Sequence, residues 1–349
     1  MKAYVLRGVN QFQIEEMEKP VLQKGEVLVK VMAAGICGSD IPRAYQTGAH
    51  VHPIVIGHEF SGKVVEVAAG ADNKWLDKAV GVFPLIPCRE CGPCQNKQYE
   101  MCRNYNYLGS RRDGGFAEYV AVPQECLIAL PEGVSYESAA MLEPMAVAVH
   151  AMRRIDVKKD ECAVVCGLGT IGLFLAMFLK GAGVEKILVI GNKDFQKERV
   201  LMLGIPEECY CDSRCQNVAD WVADRTGGKG ADVFFECVGK SETYAQAIDL
   251  AAPAGKVMLV GNPHADMFLE KPVYWKILRN QLTVKGTWNS SFTGEADDDW
   301  HYVLDALVRG EIVPEQMISH RFPLEELEKG FHIMRDKSED YIKIMGVFS

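Results

Sequence analysis

The chain has 349 residues, with 38 basic against 47 acidic side chains and a formal net charge of −9. That length exceeds one small domain and suits two, each with its own core. The acidic balance disfavours nucleic acid and anionic membrane as general partners, although a small anionic substrate can still meet a local basic patch. The opening MKAYVLRGVNQF has no apolar leader, and no apolar run reaches the roughly 20 residues that span a bilayer, so a cytoplasmic protein is expected.

Residues 1–147 predict an all-β domain. EVLVKVMAAGI and EFSGKVVEVA are rich in strand-forming residues, and GGFAEYVAVP reads as another strand ending at Pro123, so a barrel or closed sheet is expected. Two residue constellations fall on it. Twelve cysteines are many for a reducing compartment, where clustered thiols more often bind metal than form disulfides. Cys88, Cys91, Cys94 and Cys102, in CRECGPCQNKQYEMC, supply four thiolates at short loop spacing. Such a set closes a tetrahedral structural zinc site with no position left for substrate, and would fold a lobe lacking a core of its own. The second constellation is dispersed: Cys37 in GICGSD, His58 and Glu59 in GHEFSG, and Glu143 in LEPMAVAVH. A thiolate, an imidazole and one or two carboxylates suit an open zinc site with a position for an alcohol oxygen. Each of these residues also has a plain reading: Cys37 as a small core residue, His58 as a satisfied core histidine, Glu143 as a helix-start carboxylate before Pro144.

From residue 148 to 287 apolar strands alternate with helix-length segments: ECAVVCGLG, TIGLFLAMFLKGAG, KILVIG, QKERVLMLG, ADVFFECVG and KVMLVG. This alternation predicts a doubly wound parallel sheet. Gly167, Gly169 and Gly172 form G-x-G-x-x-G, closing one strand and opening a helix. Glycine permits a tight turn, close approach of a pyrophosphate and close helix packing, so the stretch Gly167, Gly169, Thr170, Ile171 and Gly172 is a dinucleotide-binding candidate. At the end of the second strand, in VIGNKD, Gly191 stands where a carboxylate would bond the adenosine ribose and repel a 2′-phosphate. Asn192 offers an amide donor and Lys193 a charge at that place, which favours NADP; in the competing reading Lys193 is merely solvated and Asp194 partly substitutes for the carboxylate with NAD. Residues 288–349 return to mixed helices and short strands, with LEELEKGFHIMRD amphipathic at helical period.

In matching order along nearly the whole chain, GICGSD, GHEFSG, the four-cysteine lobe, DGGFAEY, LEP and GLGTIG resemble the zinc-containing medium-chain alcohol and polyol dehydrogenases. GSRRDGGFAEY, GICGSDIPR and GAH are most similar to the branch of galactitol-1-phosphate dehydrogenases and related sugar-alcohol dehydrogenases. The resemblance implies a GroES-like β-barrel catalytic domain formed by residues 1–147 and 288–349, with a Rossmann domain at 148–287, and a homodimer or homotetramer. It implies one catalytic zinc on Cys37, His58 and Glu143, with Glu59 a ligand in some members and a swinging carboxylate in others, besides the structural zinc. Asp40 resembles the carboxylate that orients the ligating histidine. Ser39 matches the hydroxyl that accepts the alcohol proton during hydride transfer to nicotinamide. Pro42 takes the place of the histidine that often completes this relay. A Gly-x-basic sequence such as Gly191-Asn192-Lys193 resembles that of NADP-dependent members.

For the substrate, Arg111 and Arg112 are candidates to bind a phosphate and His50 to line the same cleft, the plain reading being a solvated pair beside Asp113. Trp288 is a candidate substrate or nicotinamide contact, although such a tryptophan is more often core. The leading expectation is a polyol or polyol-phosphate dehydrogenase. An L-threonine or simple secondary-alcohol dehydrogenase shares the zinc ligands, and a non-catalytic zinc-binding relic of the fold would need only the cysteine lobe.

Overall fold

A computed structural model describes residues 1–348. The chain divides into two compact units, one of residues 1–146 with 290–349 and the other of residues 147–289. Among the described residues no helix is long and apolar enough to cross a membrane.

The first unit is built around strand Glu26–Ile36, whose valines at 27, 29 and 31 point into a core shared with Phe60, Val64, Val80, Phe116 and Phe331. Along its full length one edge pairs antiparallel with Glu59–Val67, from Val27 opposite Val67 to Gly35 opposite Glu59. The other edge is shared: Tyr119–Pro123 takes Glu26 to Lys30, and Lys343–Val347 takes Ala33 to Ile36. The order Leu127–Ala129, Ala79–Val82, Glu59–Val67, Glu26–Ile36, Lys343–Val347, Ile318–Phe322 completes this sheet. A second, three-stranded sheet joins Lys2–Gly8 to Gln11–Glu16 and Ile54–Val55. The amphipathic segment near the C-terminus forms helix Leu327–Asp336, which buries Leu327, Phe331, Ile333 and Met334. Two strands from after residue 290 are therefore integral to a sheet begun before residue 40.

The second unit is a six-stranded, wholly parallel sheet in the order Tyr210–Asp212, Lys186–Gly191, Cys162–Cys166, Ala231–Glu236, Ala251–Leu259, Thr283–Gly286. Its strands read as continuous apolar runs because helices cover both faces, and Val164, Cys166, Leu188, Ile190, Phe234 and Val257 fill one core layer. The sequence order reverses at Cys162–Cys166, the first strand of the unit, whose neighbours are the unit's second and fourth strands, Lys186–Gly191 and Ala231–Glu236. That is the switch point where such sheets bind nucleotides.

Candidate active site

Strand pairing assembles the dispersed constellation. Cys37 follows the last residue of Glu26–Ile36, and His58 precedes the first residue of its antiparallel partner Glu59–Val67, so the two lie at one end of the sheet. Gly57, with φ of +99°, makes the turn that delivers His58, and a Cβ there would meet the Phe116 ring at 2.7 Å. Ligand atoms of Cys37, His58 and Glu59 all lie within 4.8 Å of one another. His58 and Glu59 are buried, and so is Asp40, which accepts a hydrogen bond from the Cys37 amide at 3.0 Å and from Arg43 at 2.5 Å. His58 Nδ1 stands 3.4 Å from Asp40 Oδ1 and is a buried nitrogen without a well-aligned hydrogen bond. Burial opposes charge on both, but the pair overcomes it: with Cys37 adding to Asp40's effect, His58 is pushed well above the usual imidazole range, and Asp40 is held below the usual carboxylate range. Ser39 donates to Cys37 Sγ at 3.3 Å.

Two carboxylates flank this group, each with its own holder. Glu59 Oε2 accepts from Lys343 Nζ at 2.5 Å, both side chains being 2 % exposed, and Lys343 also donates to the Ile36 carbonyl at 3.3 Å. Burial lowers and the Glu59 charge raises the lysine's pKa, and the net effect is upward. Glu143 enters from the first turn of helix Leu142–Ile155, outside the Cys37, His58 and Glu59 group among the described residues. Its Oε1 accepts from the Tyr107 hydroxyl at 3.2 Å, and burial pushes its pKa up to about 7 despite the nearby His58. A half-buried thiol with a buried imidazole and carboxylates at this spacing fits a divalent zinc-type ion, and the unsatisfied imidazole nitrogen beside Asp40 suits an orienting hydrogen bond to a ligating ring.

In the cysteine lobe all four sulfurs lie within 4.8 Å, with Cys88 to Cys94 and Cys91 to Cys102 both at 3.9 Å and every thiol free of disulfide. Four Zn–S bonds of about 2.3 Å at tetrahedral angles give sulfur pairs roughly 3.8 Å apart, so this set also fits a metal. Hydrogen bonds from the Arg103 and Cys94 amides bring Cys91 down to about 6, while burial drives Cys94 up to about 12.

In the parallel sheet, Gly167 takes φ of +96° and its amide donates to Ile190 O at 3.1 Å, tying the turn to the next strand. Gly169 precedes helix Thr170–Gly181, and no side chain caps that helix start among the described residues. A Cβ on Gly172 would lie 1.9 Å from Gly167 O, whereas one on Gly169 would meet nothing within 4 Å. Packing therefore demands glycine at 172, and at Gly169 the structure leaves room for a bound phosphate. At Gly191 a Cβ would press on Tyr210 Oη, Gln196 Oε1 and Leu168 Cδ1 at 2.8, 2.9 and 2.9 Å, so the place of a carboxylate is filled by neighbours. The Asn192 amide donates to that Gln196 oxygen at 3.0 Å, and Lys193 Nζ lies 5.2 Å from the Phe195 ring centroid. Asp194 is ion-paired with Arg214, which also bonds Asp212 at 2.6 Å.

The substrate candidates divide. Arg112 bonds Glu26, a carboxylate 5 % exposed, at 2.5 Å, which commits it to the barrel instead of to a ligand. Arg111 lies with its guanidinium carbon 4.8 Å from the Tyr105 ring centroid. His50 is exposed, and partial burial followed by the charges of Arg111 and Arg43 lowers its pKa, which places three basic groups in one region. Trp288, in the parallel-sheet unit, is 60 % exposed. Lys343, Tyr107 and Arg214 were not anticipated. A lysine inside the apolar stretch YIKIMGV was the one available signal, for Lys343.

A glycine-lined helix start at the switch point of a parallel sheet, together with a thiol, imidazole and carboxylate cluster in a β unit, defines a metal- and nicotinamide-dependent dehydrogenase. Residues 23–132 match the alcohol dehydrogenase GroES-like domain and residues 170–309 the zinc-binding dehydrogenase family. The chain belongs to the zinc-containing medium-chain alcohol and polyol dehydrogenases. It is 32% identical over 312 residues to galactitol 1-phosphate 5-dehydrogenase of Escherichia coli (strain K12), covering 88% of each chain. The crystal structure of galactitol-1-phosphate dehydrogenase from Escherichia coli superposes with a TM-score of 0.92 at 30% identity, over 99% of this chain and 100% of that one. A zinc-binding dehydrogenase from Sinorhizobium meliloti 1021 bound to NADP gives 0.90 at 27% identity, covering 99% and 98%. An alcohol dehydrogenase from E. coli CFT073 complexed with NADH gives 0.90 at 27% identity, covering 100% and 99%.

Proposed function

We propose that the protein oxidises a secondary hydroxyl of a polyol phosphate resembling galactitol 1-phosphate, with NADP⁺ as hydride acceptor. One observation carries the phosphate. Arg111 stacks on Tyr105, Tyr105 meets Tyr107 edge-on at 6.1 Å, and Tyr107 meets His58 edge-on at 5.9 Å. A guanidinium is thus linked through a tyrosine pair to the His58 ring, on the side of the metal-ligand cluster where a charge-assisted bond to a substrate phosphate would be made, with His50 near it.

In this reading Cys37, His58 and Glu143 hold a catalytic zinc, with Glu59 as an alternative ligand, and Cys88, Cys91, Cys94 and Cys102 hold a structural one. The catalytic ion supplies Lewis-acid polarisation of the substrate hydroxyl. Asp40 orients the His58 ring, and Ser39 accepts the hydroxyl proton and passes it toward solvent, a relay that usually contributes roughly 10²–10⁴-fold. Gly167, Gly169, Thr170, Ile171 and Gly172 cradle the pyrophosphate.

The preference for NADP⁺ is supported by the side chains that crowd the space at Gly191, where a ribose-binding carboxylate would stand, and by Arg214, which occupies the Asp194 carboxylate that an NAD reading would use. Lys193→Asp should therefore lower the NADP⁺/NAD⁺ ratio of kcat/KM about tenfold, the worth of roughly 1.4 kcal/mol, and an unchanged ratio refutes this account of VIGNKD. A homo-oligomer in the cytoplasm is the favoured state. Every residue from 259 to 289 is at least partly exposed, including Phe268, Trp275 and Leu278 on and beside helix Lys271–Arg279, and strand Thr283–Gly286 is one of the sheet's two edges.

The decisive experiment measures initial rates with galactitol 1-phosphate and with free polyols, each with NADP⁺ and NAD⁺, on zinc-loaded protein. Turnover confined to the phosphate and NADP⁺ supports the whole proposal. Turnover confined to free polyols with NAD⁺ keeps the enzyme class and removes both the Arg111 and the Lys193 assignments.

A further inference from the structure

Tyr107 lies in the two-residue strand Asn106–Tyr107, paired with Leu85–Ile86 just past the cysteine lobe. It makes two separable contributions. Its ring packs edge-on against His58, with centroids 5.9 Å apart and planes at 60°, and against Tyr105 at 6.1 Å and 75°. Its hydroxyl donates to Glu143 Oε1 at 3.2 Å. A phenylalanine would preserve the first contribution, so packing alone does not account for the hydroxyl.

The hydroxyl acts on a carboxylate that matters. Glu143 is 7 % exposed and stands in the first turn of its helix, yet the Cys37, His58 and Glu59 atoms close their 4.8 Å group without it. A buried carboxylate with both oxygens untethered can rotate between one-oxygen and two-oxygen ligation. Tying Oε1 to a phenol that itself packs against the His58 ring hinders that rotation and favours Oε2 as the donor. Glu59, the other carboxylate, is held instead by a lysine. The two acids are restrained by groups of different strength, a neutral phenol for Glu143 and a full positive charge for Glu59.

We propose that Tyr107 is a positioning residue for the catalytic metal: through its hydroxyl it fixes Glu143 as a one-oxygen ligand beside Cys37 and His58. This rests on the reading of Cys37, His58 and Glu143 as the ligands of that metal.

The test is Tyr107→Phe in the zinc-loaded, full-length protein, followed by zinc release to a colorimetric chelator and by the visible spectrum of the cobalt-substituted protein. Loss of a hydrogen-bonding partner to a metal ligand typically costs 10–100-fold in affinity. Tyr107→Phe should release one of two zinc equivalents 10–100-fold faster, leave the equivalent held by the four cysteines unchanged, and shift the cobalt d–d bands. In a Glu143→Gln background the same change should add nothing. Wild-type release with an unaltered cobalt spectrum, in a protein holding two equivalents, overturns the role of Tyr107 alone. A wild-type protein that binds one equivalent, unaffected by Cys37→Ser, overturns the metal-site reading and the inference together.

Discussion

The cysteine lobe and the Cys37, His58 and Glu59 group are the two clusters of metal-ligating side chains among the described residues, and they are assembled in opposite ways. The lobe's four sulfurs come from fifteen consecutive residues, from Cys88 to Cys102, and are brought together by short-range turns and a four-residue helix, Gly92–Gln95. The other site is made by register: Gly35 opposite Glu59 and Ile36 opposite Ile344 bring a thiol, an imidazole and a lysine to one sheet end. The first kind of site depends on loop spacing and the second on the whole sheet.

The sharpest way to break this comparison is a pair of cysteine replacements. Cys37→Ser should abolish turnover while circular dichroism and cofactor affinity stay near wild type, and substantial residual activity would remove the metal from the mechanism. Cys94→Ser should do the reverse, costing about 3 kcal/mol or more and lowering Tm by roughly 10 °C. If both variants lose stability equally, the division between a chemical and a structural site is wrong.

Lys343→Met probes the buried ion pair at the sheet end that carries the dispersed group. It leaves Glu59 buried without its counter-charge, and breaking a buried ion pair from one side costs about 3–5 kcal/mol. Denaturant titration should show that loss, and adding Glu59→Met should recover most of it. A loss under 1 kcal/mol would mean that Glu59 simply takes a proton.

The smallest expected effect is pH-dependent. Burial raises the Glu143 carboxyl of the metal-free fold from 4.5 to about 7, so folding takes up a proton between those values. Its contribution is whole below the unfolded pKa and is lost as pH rises through about 7. Metal-free Glu143→Gln should therefore exceed metal-free wild type in stability by on the order of 2 kcal/mol at pH 8, with the gap closing toward pH 5. A gap independent of pH would place the titration elsewhere.

What was legible in the sequence follows the same division. The parallel sheet, the glycine turn and the cysteine spacing were readable because each is written in consecutive residues. Cys37, His58 and Glu59 could be named from short motifs, but their meeting within 4.8 Å depends on strand register, which no local pattern specifies. Lys343 and Glu59 are 284 positions apart, and nothing in either neighbourhood names the other. Tyr107 carried no signal, since one tyrosine among the aromatic residues of YNYLG reads as packing. Arg111 and Arg112 looked equivalent as neighbours, and only the buried Glu26 separates them.

The sharing of one strand edge has a consequence for the order of events during synthesis. Strand Glu26–Ile36 is made early, yet its edge from Ala33 to Ile36 is completed by Lys343–Val347, after the whole parallel sheet has been translated. Domains generally fold as units while the chain grows. The nucleotide unit is contiguous and needs nothing from later residues, so it can fold before the barrel that encloses it in sequence. Until Lys343 arrives, Glu59 has no counter-ion and the ends of two strands remain uncovered. Translation thus sets a sequence in which the parallel-sheet unit can mature first, and the sheet end that carries Cys37, His58 and Glu59 is completed last.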